Sequence, residues 1–248
     1  VESMGDLLSE DFRRTMATRS EYQKRAARDW DYAPGAAFLE YDPRISWVPF
    51  EAIPFSQIPK VKEGYDWGFA IHPAGCVWYG LDYDGNCWFF DELELYRHDA
   101  TQQAYELLKK REELTNYFAK VTGNPSADQR KMHSGTYGGP DLNQQESGIG
   151  KTKGEMLREA GVDITIVNPD VVGRYEKEES KVTALASTLR VDPDRKHPVT
   201  GKLGGSKVYI SSRCERLAEQ IQTAMLDPDN PKRLDDGPVR NRFETTDD

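Results

Sequence analysis

Cysteine is scarce in this 248-residue chain: Cys76, Cys87 and Cys214 are odd in number, and no two of them stand in a Cys-x-x-Cys spacing. That argues against a disulfide framework and a cysteine-based zinc site, and a reducing cytoplasm is the expected compartment. Histidine is equally thin. His72, His98, His133 and His197 lie far apart and suggest neither a zinc cluster nor a nucleophilic triad. No apolar run approaches the ~20 residues that span a bilayer, and the N-terminus lacks a basic-then-apolar signal pattern. An excess of positive charge is missing too, since the formal net charge is -9. This weighs against a general nucleic-acid coat protein. It leaves room for an enzyme whose own acids hold divalent metal against DNA, because only a local positive groove is needed there. A P-loop is also lacking. "GIGKT", Gly148 to Thr152, has the right ending, but Gln145 stands where the motif requires glycine, and no strong apolar strand precedes it.

What is present begins with a polar helical stretch over residues 1 to 31, for which Ser9 is a plausible N-cap. "YAPGAAFLEYDPRISWVPFEAIPFSQIPK" follows, rich in proline and aromatics. It reads as an ordered arm of short extended pieces, since flexible linkers seldom hold so many rings. Residues 1–60 are thus expected to form a helix and arm, and residues 61–248 an α/β domain. "YDWGFAIHP", "CVWYGLDYD" and "CWFFDELELY" predict three strands, the last two joined at the Asp84-Gly85 hairpin signal. A charged helix is expected over Ala100 to Lys120, with Ala104, Leu107, Leu108, Leu114 and Phe118 on its apolar face. Then come a short strand running towards Asp128, a glycine-rich loop from Ser134 to Gly150, and alternating helices and strands to the C-terminal region. A meander followed by such alternation predicts a mixed sheet flanked by helices.

Asp66 raises the main chemical question, because it sits in an apolar-aromatic run where a core residue is expected. A buried carboxylate needs pairing or a metal. Its plain structural reading is a strand-end residue capped by backbone amides. Asp128, in "NPSADQRKM", is expected where a parallel neighbour of the first strand ends, though it serves equally well as an N-cap for the residues after it. Two such carboxylates on adjacent strand ends suit Mg2+, which takes oxygen ligands and keeps waters. Glu92, in "DELE", is an outside candidate for the same role. Asp247 and Asp248, in the terminal "ETTDD", matter if a third acid is needed and are otherwise a solvated tail.

Cations for a DNA backbone are sought in two places. Lys151 and Lys153 follow the glycine-rich loop. Arg195, Lys196, Lys202 and Lys207 belong to a run, Arg190 to Arg216, that carries seven cations against three anions. Such a run is commonly just a solvated hairpin.

Taken in order, these segments resemble the C-terminal nuclease domain of the large terminase subunit of tailed bacteriophages. "ARDWDYAPGAAFLEYDP" resembles the family's junction between ATPase and nuclease, and the 64–96 meander its first three strands, with Asp66 in the first catalytic position. "SADQRKM" resembles the segment carrying the second acid, at Asp128, and "VYISSRCERLAEQIQTAML" the strand and helix before the last acidic motif. The resemblance implies an RNase H-like fold preceded by an N-terminal arm. It also implies a metal-dependent endonuclease cutting concatemeric viral DNA during packaging, with two Mg2+ or Mn2+ ions on Asp66, Asp128 and Asp247 or Asp248. Double-stranded DNA, the terminase ATPase domain, the small terminase subunit and the portal are the implied partners, in the cytoplasm of an infected host. The family's ATPase motif is not in this sequence. Other RNase H-like nucleases of resolvase or integrase type share such acids, and a DNA-binding or docking module of a packaging motor, with structural acids, is the non-enzymatic alternative.

Overall fold

The computed structural model describes residues 36–69, 72–123, 135–145, 150–167, 178–224 and 226. The expected helix over residues 1 to 31, Asp128, and the pair Asp247 and Asp248 lie outside them. In chain order, α1 (Pro43–Ser46) and β1 (Trp47–Val48) lead through 3-10 turns at Phe50–Ala52 and Phe55–Gln57 to β2 (Val61–Asp66), β3 (Ala74–Leu81) and β4 (Cys87–Leu95). Next come α2 (Ala100–Thr122), β5 (Thr136–Gly138), a 3-10 turn at Pro140–Asn143, α3 (Lys153–Glu159), β6 (Ile164–Ile166) and α4 (Glu178–Leu189). They are followed by β7 (Asp192–Lys196), β8 (Leu203–Gly205), β9 (Val208–Ser211) and α5 (Glu215–Thr223). The described residues divide into two compact units: 36–47, 178–207 and 218–226 in one, 48–167 and 208–217 in the other.

The second unit carries the seven-stranded sheet, in the order β1-β9-β4-β3-β2-β5-β6. β2, β3 and β4 form the expected antiparallel meander, while β5 joins β2, β6 joins β5, and β9 joins β4 in parallel. Parallel neighbours need a crossover, and α2 and α3 supply those from β2's meander to β5 and from β5 to β6. The result is the mixed α/β class expected from the sequence, a seven-stranded sheet flanked by helices. One strand differs from expectation. The parallel neighbour of β2 is Thr136–Gly138, inside the stretch read as a glycine-rich loop, because a flanked Thr-Tyr pair is enough to make three ladder residues.

Local chemistry explains the rest of the meander. Asp82 builds the hairpin between β3 and β4: its carboxylate accepts from the backbone N–H of Asp84 (2.9 Å) and Asn86 (2.8 Å), from Asn86 Nδ2 (2.7 Å) and from Trp88 Nε1 (2.8 Å). Gly85 takes the left-handed conformation the turn requires, at φ +75°. A bulge shifts the β3–β4 register between Trp78 and Tyr79, so Phe90 and Asp91 are both buried despite being consecutive. Lys110 (3.0 Å) and Arg213 (3.3 Å) neutralise that Asp91 carboxylate. α2 begins with a capping box between Asp99 and Gln102 and ends at Gly123, φ +70°. Its buried face holds Ala104, Leu107, Leu114 and Phe118 as expected, and also Gln103 and Arg111. Residues 48–58 contribute Val48, Phe50, Ile53, Phe55 and Ile58 to the same core, where Phe55 packs against Phe50, Phe90, Tyr117 and Phe118.

In the first unit, Asp42 caps α1 and holds Arg44 through both carboxylate oxygens, at 3.0 and 2.7 Å. The basic run does form a hairpin, β7 with β8. Buried His197 sits after β7, its Nδ1 accepting from the Val199 (3.1 Å) and Thr200 (3.3 Å) amides, which leaves Nε2–H to donate to the Ile45 carbonyl at 2.9 Å. No helix among the described residues is long and apolar enough to cross a membrane.

Candidate metal centre

The strand that ends in Asp66 alternates, with Val61, Glu63 and Tyr65 inward and Lys62 and Asp66 outward. Asp66 therefore does not occupy a core position; the strand's buried carboxylate is Glu63. Arg111 of α2 meets Glu63 in a fork, Nε to Oε1 at 2.8 Å and Nη2 to Oε2 at 2.7 Å. Thr136, the β5 residue in register with Glu63, donates its hydroxyl to Glu63 Oε2 at 2.7 Å and accepts from Arg111 Nη2 at 3.1 Å. One buried ionic network thus ties β2, β5 and α2 together, three residues before Asp66.

The β2–β5 ladder continues to Tyr65 opposite Gly138, and both strands then end on the same side of the sheet. β5 runs through Gly139 into the 3-10 turn that carries Asp141. A Cβ at Gly139 would lie 2.7 Å from Asp141 Oδ1, so the missing side chain is what lets this carboxylate fold back towards the strand end. The charge of Asp141 is felt at Asp66. Asp66 reaches solvent, yet the protein around it strips part of its hydration and pushes its carboxyl up, and the Asp141 charge adds to this. His72 and the Trp67 backbone N–H act in the opposite direction. Burial, Cys76, Asp141 and Asp66 together also push up the neighbouring Tyr65 phenol.

Two hard oxygen donors of like charge, one at the end of β2 and one in the turn after β5, are of the kind that suits Mg2+ or Mn2+, whose charge would relieve the repulsion. Among the described residues no group of three or more His, Cys, Asp and Glu side chains could hold a metal ion. Asp141 was missed in the sequence because "TYGGPD" was absorbed into a glycine-rich loop. The available signal was Thr-Tyr as a minimal strand, followed by Gly-Pro-Asp turn chemistry.

The other sequence candidates separate clearly. Glu92 accepts from the Arg216 (2.8 Å) and Leu217 (2.9 Å) backbone amides and so caps α5, although burial pushes its carboxyl up. Lys151 is held by both Glu159 oxygens at 2.7 Å. Lys153 lies 5.2 Å over the ring of Trp67, the residue after Asp66, and reaches Gln144 Oε1 at 3.4 Å. The Thr152 hydroxyl of "GIGKT" caps α3 in a box with Glu155, a local structural job. Arg195, Lys196, Lys202 and Lys207 belong to the other unit, where the three lysines are exposed and Arg195 is half-buried.

No protein-family model and no curated protein matches the sequence. Solved structures do. The chain is similar in fold to the large terminase nuclease domain of phage P22, at 15% identity and TM-score 0.45, over 80% of this chain and 88% of that one. It is also similar to the large terminase nuclease domain of bacteriophage SPP1 with bound Mn, at 14% identity and TM-score 0.42, over 77% and 85%. A third likeness is to the large terminase nuclease of thermophilic phage G20c, at 12% identity and TM-score 0.39, over 79% and 74%.

Proposed function

We propose that this chain is a divalent-metal-dependent endodeoxyribonuclease that cuts concatemeric viral DNA into genome lengths during packaging. The observation that carries the reading is Asp66 at the end of β2 facing the charge of Asp141, in the turn that follows the parallel neighbour β5, set beside the segment-by-segment resemblance of the sequence. Asp66 and Asp141 would hold Mg2+ or Mn2+ through carboxylate oxygens, with Asp128 and either Asp247 or Asp248 as the proposed further acids of a two-ion set. Bound ions of this kind acidify a water and neutralise the charge that builds on the scissile phosphate. The chain's own residues do the rest. Lys153, oriented by the Trp67 ring, meets a phosphate oxygen next to the acids. Lys196, Lys202 and Lys207, with Arg195, grip the duplex backbone without reading bases, so sequence specificity is low. The ATPase domain, small terminase subunit and portal are the proposed assembly partners, and the infected host's cytoplasm the proposed location.

The test is supercoiled plasmid with the protein in Mg2+, Mn2+ or EDTA, beside Asp66→Asn and Asp141→Asn. Metal-dependent nicking and linearisation, lost by about 100-fold or more in each variant, is the expected result. Intact plasmid in every lane with folded wild-type protein would leave the docking-module reading in its place.

A further inference from the structure

Two loops meet beside the acid pair, one after β2 and one after β4. The register runs Asp66 to Gly75 to Glu94, so the ends of β2 and β4 lie two strand spacings apart, roughly 10 Å. Beyond those ends, the Arg97 amide donates to the Phe69 carbonyl at 2.6 Å, and the Phe69 amide to the His72 carbonyl at 2.7 Å. Gln103, fully buried under both loops, donates from one Nε2 to the Gly68 carbonyl (2.9 Å) and to the His98 carbonyl (2.6 Å). Its Oε1 accepts from the Tyr65 hydroxyl. Gly68 admits no side chain, since a Cβ there would lie 2.1 Å from the His72 carbonyl oxygen.

This framework presents Phe69 and Tyr96 to solvent, 51% and 48% exposed, with exposed Arg97 between the two loops. Arg97 is the one non-glycine in the left-handed region among the described residues, at φ +56°. Glycine or asparagine would fit that backbone with less strain, so here a long cation stands where the main chain disfavours it. Its acidic neighbours are engaged: Glu94 faces Arg216 at 3.4 Å and Asp99 caps α2. Exposed aromatic faces near a guanidinium suit an unstacked base and its phosphate, and bases inside an intact duplex offer no such face.

We propose that Phe69, Tyr96 and Arg97 form a ridge that binds a single-stranded or frayed DNA segment beside the acid pair. The inference rests on the nuclease reading and narrows its substrate to DNA locally opened at the cut.

The test is binding of a fluorescein-labelled single-stranded oligonucleotide and of its blunt duplex in Ca2+, by anisotropy, to the whole chain and its variants. Phe69→Ala with Tyr96→Ala weakens single-strand binding by about tenfold or more and duplex binding less than about twofold. Arg97→Gly relieves the left-handed strain, keeps the fold and flattens the single-strand salt dependence by about one unit of slope. Tyr96→Leu, at an exposed position, gives a milder loss if the double variant misfolds. Unchanged single-strand affinity in folded Tyr96→Leu and Arg97→Gly overturns the ridge. A wild-type protein that binds single strands through the ridge yet cuts no DNA in metal sinks the nuclease reading alone.

Discussion

Asp66 titrates higher in the folded chain than unfolded, so between those two values the folded state holds the proton and the unfolded state has released it. The stability this gives is present at low pH and is lost as pH rises through the folded value. Metal-free Asp66→Asn should therefore melt higher than wild type at pH 7, by about 1–2 °C, a small gain because the group is screened by solvent. Near pH 3 and below, where the carboxyl is protonated in both states, the gain should vanish, and thermal melts across pH check this. The two lysines beside the site make a second contrast. Lys153→Ala should weaken DNA binding across sequences and lower the salt slope by about one, and Lys151→Ala should do less, because Glu159 already holds Lys151. Anisotropy titrations at several salt concentrations would show it, and equal losses would contradict the assignment. Sequence alone ranked these lysines together, since an ion pair eight residues away leaves no local pattern.

Among the elements, the clamp of Glu63, Arg111 and Thr136 fixes how β2 and β5 lie together, and hence where their terminal acids sit. Arg111→Met would leave Glu63 buried without its cation and should cost about 3–5 kcal/mol by urea unfolding. Glu63→Met with Arg111→Met should recover most of that loss, because the desolvated charge is gone as well. A double variant no more stable than the single one would mean that packing, not charge, holds this junction. The meander, the Asp84-Gly85 hairpin and the apolar stripe of α2 were legible from alternation, turn chemistry and helical spacing. Glu63, Gln103 and Arg111 were not. Each is polar in a position that looks solvated until a distant partner is known, and pairings such as Glu63 with Arg111 lie far apart in sequence. The β4 bulge likewise hid the burial of Asp91 behind an apparently regular alternation.

At the scale of the whole molecule, β2 has an antiparallel neighbour on one side and a parallel one on the other; Asp66 ends β2, and Asp141 lies in the turn just beyond the carboxyl end of its parallel neighbour. Open mixed sheets place ligand sites at such ends, where strand order changes direction and loops diverge. The mixed-sheet class was readable from the order of elements along the chain. The partner of Asp66 was not, because it hung on a strand of only three residues, and register across a crossover is set by packing. The central claim is that Asp66 and Asp141 share a divalent cation. Mn2+ binding to the whole chain, measured by titration calorimetry for wild type, Asp66→Asn and Asp141→Asn, tests it most directly. Affinity lower by about tenfold or more in both variants, with unfolding still cooperative, is the predicted result. Wild-type affinity in Asp141→Asn would contradict the account and take Asp141 out of the site.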